Sequence, residues 1–180
     1  QGVPLREIAV LYRLNAQSRV FEDVMMKQGI PYKIVGGLRF YDRKEIKDVI
    51  GWLRVLQNPN DEVSLQRIVN VPRRGIGKTT LDRVSQLAVL HEMSMFKVME
   101  QVHAFPELGR AAANLSDFCR FVQGMREAMQ AADLVSSIEM LIDQSGLMRE
   151  LQNENTVESA TRVETIKEFL SGAKEFTDLT

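Results

Sequence analysis

The chain has 180 residues, of which 44% are hydrophobic and 26% charged, and its formal net charge is -1. This balance fits a soluble globular fold and excludes a chain that is disordered over most of its length. No apolar run approaches the roughly 20 residues that cross a bilayer, and no leader peptide opens the sequence, so we expect a cytoplasmic protein without a membrane partner. Cys119 is the only cysteine, which excludes an internal disulfide and a multi-cysteine metal site.

Basic residues are concentrated in the first half of the chain. Residues 1–83 contain fifteen Lys and Arg against nine Asp and Glu, whereas residues 84–180 contain eight against fifteen. This positive excess favours a polyanion, such as a nucleic acid, as the partner of the first half. A charged surface that only faces solvent is the alternative, and charge alone does not separate the two.

The first 37 residues predict a strand, a helix and a second strand. Residues 7–12 form a short apolar run typical of a buried strand, and residues 16–28 place Val20, Val24 and Met25 with helical spacing. Residues 30–37 predict another short strand that ends at a glycine pair. A βαβ unit of this kind normally belongs to a larger parallel sheet, so we expect a piece of an α/β domain.

From Asp42 onward nearly every segment has a hydrophobic period of 3.6 residues, which predicts helices. The expected fold class is therefore mainly α, with a short N-terminal βαβ piece. Trp52 lies at a helical core position, and packing is favoured over stacking on a nucleic-acid base. The predicted helices cover residues 43–57, 61–70, 77–91, 94–102, 107–131, 134–145 and 156–176.

The segment VPRRGIGKTTL, from Val71 to Leu81, raises the question of a nucleotide-binding P-loop. A P-loop has glycine five residues before its Gly-Lys pair, and Pro72 stands at that position. Proline has no N–H to offer a phosphate, and the preceding residues fit a helix better than a strand. The sequence therefore favours a helix, a tight loop and a second helix over a nucleotide site at Lys78.

A glycine loop between two helices can also bind an anion. Gly75 and Gly77 allow a sharp turn, Ile76 is predicted to point into the core, and the second helix begins with free N–H groups. Arg73, Arg74 and Lys78 add positive charge, while Thr79 and Thr80 add hydroxyl donors. Such a site reads the backbone of a duplex without sequence preference. An ordinary interhelical turn with surface arginines is the alternative.

Four sequence blocks, in order, resemble the UvrD/PcrA/Rep group of superfamily 1 DNA helicases, with the greatest likeness to its PcrA branch. The resemblance is nearly continuous up to about residue 90 and weaker beyond it. The blocks are Tyr12-Arg13-x-Asn15-x-Gln17-Ser18-Arg19, Gly36-Gly37-x-Arg39-Phe40, Arg43-x-Glu45-Ile46-Lys47-Asp48 and Pro72-Arg73-Arg74-Gly75-Ile76-Gly77.

The resemblance implies a division of the chain and a set of DNA contacts. Residues 1–36 would be a partial RecA-like segment of domain 2A, and residues 37–180 a helical 2B-type segment with the GIG hairpin near 72–80. Arg13 and Asn15 would contact single-stranded DNA, Arg39 would be a further contact, and the hairpin would grip the duplex. The resemblance and the loop chemistry together give these expected DNA-binding residues: Arg13, Asn15, Arg39, Arg73, Arg74, Gly75, Ile76, Gly77, Lys78 and Thr80.

Helicases of this group hydrolyse ATP, so the resemblance implies ATP and magnesium as cofactors of a longer parent protein. The remainder of that parent chain and a DNA junction would be the partners. A P-loop, a magnesium-binding Asp-Glu pair and arginine fingers do not occur in this sequence, so we expect neither a cofactor nor a catalytic residue here. The expected function is that of a DNA-binding segment of a 3'-to-5' ATP-dependent DNA helicase. A protein-interaction or autoregulatory docking module that does not contact DNA is the alternative.

Overall fold

The computed structural model describes residues 2–177, with side chains as far as Glu175, and its regular structure is helical. This confirms the mainly α part of the expected fold class. The α-helices of the described range are α1 Ser18–Lys27, α2 Lys44–Gln57, α3 Glu62–Ile68, α4 Lys78–Leu90, α5 Met95–Glu100, α6 Ala112–Met129, α7 Leu134–Ser145, α8 Leu147–Glu154 and α9 Val157–Thr177.

The hydrophobic period located most of these helices to within a few residues. Residues 134–145 are helical as predicted, whereas the helix predicted from residue 107 starts as a 3-10 segment, Pro106–Ala111, before α6 begins. The helix α8 was not predicted. It begins directly after Gly146, which is in the left-handed region at φ 84° and ends α7.

The βαβ unit predicted for the N-terminal residues is not observed in residues 2–37, although its helix is present as α1. The two apolar segments on either side of α1 carry no ladder hydrogen bonds to each other. Leu11 and Val35 are 93% and 85% exposed. A strand requires a neighbouring strand for its N–H and C=O groups, and residues 2–177 provide none for these two segments.

One hydrophobic core joins buried residues from each of the helices α2 to α9. Trp52 on α2 is fully buried, and its ring lies 5.6 Å from that of Phe118 and 5.5 Å from that of Phe121 on α6. Leu141 on α7 and Ile68 on α3 are also completely buried in this cluster. The prediction that Trp52 is a core residue is therefore confirmed.

Arg19 joins the N-terminal segment to the last helix. Its guanidinium is buried and forms ion pairs with Asp23 at 3.0 Å, with Glu168 at 2.7 Å and with Glu175 at 3.0 Å. Burial lowers the pKa of Arg19, but the bonds and charges of Glu168 and Glu175 more than offset this, so the pKa is raised. Gly172 makes room for the group, because a Cβ there would lie 2.5 Å from Arg19 Nη1.

A buried carboxylate makes a second connection at the same place. Glu22 is 1% exposed and accepts the Phe40 N–H at 3.0 Å and the Tyr32 hydroxyl at 3.2 Å. The guanidinium of Arg43, directly before α2, donates to Ser18 Oγ at 2.7 Å. These bonds fix α1 against the start of α2, so the N-terminal helix is held from two sides.

Aspartates cap two of the helices. Asp61 accepts the Ser64 N–H at the start of α3, and Asp133 accepts the Ser136 N–H at the start of α7. Hydrogen bonds from these serines hold the pKa of both aspartates below the usual value. The caps satisfy N–H groups that a helix leaves unpaired in its first turn.

No helix within residues 2–177 is long and apolar enough to span a membrane.

Cys119 on α6 gives a prediction for the pH dependence of stability. Burial, with a smaller contribution from the charge of Glu100, raises the pKa of its thiol to about 12. An unfolded thiol loses its proton near pH ~8.5, so above that pH the folded state binds more protons than the unfolded state. The contribution of Cys119 to stability should therefore fall as pH rises from about 8.5 towards 12.

Urea unfolding at a series of alkaline pH values measures this contribution. We expect the free energy of unfolding to decline with pH more steeply in the wild type than in the Cys119→Ala variant, which lacks the titrating thiol. Other alkaline groups titrate in both proteins and cancel in the difference. If the free energy of unfolding declined with pH equally in the wild type and in Cys119→Ala, the prediction would be wrong.

Candidate nucleic-acid interface

Residues 69–77 form a tight loop between α3 and α4, as the sequence predicts. Asn70 organises the loop, because its Oδ1 accepts the N–H of Arg74 at 2.7 Å and that of Ile76 at 3.3 Å. The indole N–H of Trp52 donates to the carbonyl of Val71 at 2.9 Å. Ile76 is fully buried and anchors the far end of the loop in the core. The loop conformation is thus fixed from inside the protein.

The two glycines of the loop have different roles. Gly75 is in the left-handed region at φ 70°, and a Cβ at this position would lie 2.7 Å from Asn114 Nδ2. Gly77 is the N-cap of α4 with φ -83°, and a Cβ there would meet no heavy atom within 4 Å. The backbone therefore requires glycine at position 75 and only tolerates it at position 77.

The difference predicts unequal costs for the same substitution. Gly75→Ala should lower the free energy of unfolding by about 1–2 kcal/mol, because alanine is strained at positive φ. The matched control Gly77→Ala should lower it by less, about 0.5 kcal/mol, because alanine is a poorer N-cap than glycine but meets neither strain nor a close contact there. Urea denaturation followed by circular dichroism compares the two variants. If both variants lost the same free energy of unfolding, the positive φ of Gly75 would not be the reason that the loop requires glycine.

Arg74 points into the protein. Its guanidinium lies 4.8 Å from the centre of the Trp52 ring and donates to the carbonyls of Pro72 and Ser145, both at 2.9 Å. Burial lowers the pKa of Arg74 to about 10, although the charge of Glu150 acts in the opposite direction. The guanidinium of Arg74 therefore connects the loop to Trp52 on α2 and to the end of α7. Its predicted role as a DNA contact stays a prediction, and the geometry gives it a structural role.

The outer side of the loop carries unpaired donors and positive charge. In the described part of the chain, the N–H groups of Gly75, Gly77, Lys78 and Thr79 have no protein acceptor. The side chains of Arg73 and Lys78 are exposed and form no ion pair with any described residue. Free N–H groups at a helix start, together with the positive end of the helix dipole, favour an anion such as phosphate.

Thr80 and Ile76 differ in what they can offer to a ligand. Thr80 is half-buried in the first turn of α4, where its N–H donates to the carbonyl of Gly77 at 3.1 Å. Its hydroxyl has no hydrogen-bond partner among the described residues. The side chain and N–H of Ile76 are both engaged inside the protein. Thr80 thus has a hydroxyl available, whereas Ile76 supports the loop.

Three residues of this region were missed by the sequence analysis. Asn70 holds the loop, Asn114 on α6 lies against Gly75, and Glu150 on α8 accepts the N–H of Arg73 at 3.1 Å. Asparagine is a typical turn residue, so its occurrence two positions before Pro72 could have indicated the role of Asn70. Asn114 and Glu150 are distant in sequence from the loop, so nothing in the sequence indicated their contacts with it.

The other predicted DNA-binding residues lie on the N-terminal part of the chain. Arg13 and Asn15 are exposed, and Gln17 Oε1 shapes their segment by accepting the N–H groups of Arg13 and Leu14. Arg39 is exposed, and its guanidinium lies 5.5 Å from the centre of the Tyr32 ring. Within the described range, no hydrogen bond or ion pair joins these residues to the loop.

The residues around Lys78 do not fit a nucleotide site of the P-loop kind. The helix α3 precedes the loop where a P-loop follows a strand, and Pro72 occupies the position of its first glycine. Such a site also needs an apolar strand that ends in a magnesium-binding acid, and the nearest candidate segment, residues 139–143, lies within the helix α7. The described residues contain no cluster of three His, Cys, Asp or Glu that could hold a metal ion.

Comparison with known proteins agrees with the motifs. The family model of the UvrD-like helicase C-terminal domain matches residues 1–180. The chain is 40% identical over 172 residues, 96% of its length, to the ATP-dependent DNA helicase PcrA of Bacillus subtilis. It is 37% identical over 179 residues, 99% of its length, to the PcrA of Staphylococcus aureus strain Mu50, and 38% identical over 179 residues, again 99%, to that of Staphylococcus epidermidis.

The chain spans 23% to 25% of the length of these relatives. The match to the family model nevertheless covers every residue of the chain, and it includes the N-terminal motifs as well as the loop. The chain therefore belongs to the UvrD-like helicase C-terminal domain family.

Proposed function

We propose that this chain is a DNA-binding segment of a 3'-to-5' ATP-dependent DNA helicase, and that the loop at residues 69–77 holds duplex phosphates. The observation that carries the proposal is the set of unpaired N–H groups at Gly75, Gly77, Lys78 and Thr79, with the exposed cations of Arg73 and Lys78 beside it. Family membership and the ATP-dependent DNA helicases among the relatives support it.

The donors suit a phosphate backbone rather than base edges. Main-chain N–H groups and a helix N-terminus bind anions but carry no information about sequence. Arg73 and Lys78 add the charge that displaces counterions, and the Thr80 hydroxyl adds a donor. Arg74 and Ile76 keep the loop in shape from inside. The expected ligand is therefore duplex DNA, bound without sequence preference and with strong salt dependence.

The remaining predicted contacts complete a junction-binding surface. In this proposal, residues 1–36 are a segment of the motor domain 2A, where Arg13 and Asn15 contact the single strand. Residues 37–180 are a 2B-type segment, and Arg39 is a further contact near its start. ATP hydrolysis belongs to the rest of a longer protein, because the residues around Lys78 do not fit a nucleotide site. This chain supplies DNA contacts and no catalytic group.

Fluorescence anisotropy with a labelled DNA hairpin that carries a 3' single-stranded tail tests the proposal. The wild-type chain should bind at roughly 50 mM salt and lose affinity steeply towards 200 mM. The double variant Arg73→Ala, Lys78→Ala should bind about tenfold more weakly at low salt. The slope of log affinity against log salt should fall by about 2, because two phosphate contacts are removed.

A matched control removes two exposed cations from elsewhere. Arg120 and Lys167 are 75% and 57% exposed, and among the described residues their ion-pair partners are Asp117 and Glu164 on their own helices. Their double alanine variant should bind DNA with an affinity within about twofold of wild type. If the Arg73, Lys78 variant bound as tightly as this control at low salt, the phosphate-binding role of the loop would be wrong.

Exposed apolar residues in the N-terminal part favour a second candidate function, that of a protein-docking module. Leu11 and Val35 are 93% and 85% exposed, and Val3 is 63% exposed. Such residues are typical of a surface that packs against another protein or another part of the same chain. The hairpin titration separates the two candidates, because a module that only docks protein would show no salt-dependent binding of DNA.

A further inference from the structure

The helix α8 places a carboxylate against the candidate phosphate site. Glu150, on the first turns of α8, accepts the N–H of Arg73 at 3.1 Å through its Oε1. The side chain is only half-buried, and it forms no ion pair with a described cation. The carboxylate of Glu150 thus pairs with the N–H of Arg73 at one edge of the loop. The N–H groups of Gly75, Gly77, Lys78 and Thr79 have no acceptor among the described residues.

The position of α8 is set by the same contacts that shape the loop. Its first residue follows Gly146, where a Cβ would lie 3.4 Å from the ring of Pro72. The carbonyl of Ser145, immediately before Gly146, accepts from the Arg74 guanidinium at 2.9 Å. Glu150 is therefore held beside the loop by the corner between α7 and α8. Its charge also reaches the half-buried cation of Arg74, whose pKa it raises against the effect of burial.

We propose that Glu150 is an internal competitor for the phosphate that the loop binds. The inference rests on the proposed function, since it concerns the same site. In the free protein the carboxylate pairs with the Arg73 N–H and lowers the positive potential of the loop. A duplex phosphate that approaches Arg73 and Lys78 meets this negative charge and displaces the carboxylate from the N–H. Glu150 therefore weakens DNA binding and limits how long the loop holds one phosphate.

A purely structural role for Glu150 gives a different result on substitution. Glutamine keeps a carbonyl oxygen that can accept the Arg73 N–H but removes the charge, so Glu150→Gln isolates the electrostatic effect. Alanine removes both the charge and the acceptor. If Glu150 only holds the loop, glutamine should leave DNA affinity unchanged and alanine should lower it. If Glu150 competes with phosphate, glutamine should raise the affinity.

The test measures hairpin DNA affinity of the 180-residue chain with the anisotropy assay described above. Glu150→Gln should bind about three- to tenfold more tightly than wild type at roughly 50 mM salt. The gain should shrink towards 200 mM, where screening weakens the repulsion between carboxylate and phosphate. Glu154→Gln removes the same charge from the same helix. The described partner of Glu154 is Arg162, at 4.0 Å, and not a residue of the loop, so this variant should change affinity by less than about twofold. Thermal unfolding checks that each variant is folded.

The outcomes separate this inference from the proposed function. If Glu150→Gln bound no more tightly than wild type while Arg73→Ala, Lys78→Ala bound more weakly, the competitor role would be wrong and the phosphate site would stand. An equal gain for Glu150→Gln and Glu154→Gln would reduce the effect to net charge and also overturn the inference. If the Arg73, Lys78 variant bound like wild type, both proposals would be wrong.

Discussion

Replacing Trp52 with alanine is expected to lower the free energy of unfolding by about 3–5 kcal/mol, which is a large part of the stability of a domain of this size. Three losses contribute to this value. The fully buried ring leaves a cavity beside Phe118 and Phe121, the Val71 carbonyl loses its indole N–H donor, and the Arg74 guanidinium loses the aromatic face beneath it. Urea unfolding monitored by circular dichroism measures the total.

Two further variants help to interpret this loss of stability: one keeps the aromatic ring, and the other is a control at an exposed site. Trp52→Phe keeps an aromatic ring but removes the N–H, so it should cost about 1–2 kcal/mol. Val89→Ala, on the exposed side of α4 where Val89 is 79% exposed, should change stability by less than about 0.5 kcal/mol. A loss below about 1 kcal/mol for Trp52→Ala would mean that the packing around the ring is far looser than the structure has it.

Replacing Arg19 with alanine is expected to lower the free energy of unfolding by about 2–3 kcal/mol. Removing one partner from a buried ion pair costs about 3–5 kcal/mol when the other partner stays buried. The loss is smaller here because Glu168 and Glu175 remain 26% and 62% exposed and regain water. Arg13→Ala is the matched control, since Arg13 is exposed and makes no ion pair with a described residue, and it should be close to neutral.

A second substitution shows whether the buried position of Arg19 causes this effect. Gly172→Ala alone should destabilise the protein, because the new Cβ would lie 2.5 Å from Arg19 Nη1. In the Arg19→Ala background the same change should stabilise it by about 0.5–1 kcal/mol, the usual gain of alanine over glycine inside a helix. This reversal of sign is the expected result of the double-mutant cycle. The same sign in both backgrounds would contradict the close packing of Arg19 on α9.

The helices could be predicted from the sequence because their signal is local. The hydrophobic period placed α2 and α7 almost to the residue. Pro72 and the helical pattern of the residues before it favoured a helix–loop–helix over a nucleotide site. The helix α8 was not predicted because it is short and only Gly146 separates it from the end of α7, so the residues around Gly146 resemble a connecting segment. The N-terminal strands were predicted from apolar content, but a strand also depends on neighbours that lie outside its own sequence.

The candidate site was predictable in position but not in its internal arrangement. Glycines and basic residues indicated where the loop lies. Arg73 and Arg74 are adjacent arginines, so the sequence does not show which of them is exposed. Contacts with the distant Trp52 ring and Ser145 carbonyl, beside a local one with the Pro72 carbonyl, turn Arg74 inward, while Arg73 stays exposed. Glu150 is a similar case, because its approach to Arg73 depends on how α8 packs. Tertiary contacts of this kind carry no local signal.

The donors of the loop belong to the main chain, and this has a consequence for how the site can change over evolution. Substitutions cannot delete an N–H group unless they introduce proline, so the anion binding proposed for the loop would persist as long as the loop keeps its shape. That shape depends on the positive φ of Gly75 and on the amide oxygen of Asn70. Variation at Arg73 and Lys78 would then tune the strength of binding, whereas variation at Gly75 or Asn70 would decide whether the site exists.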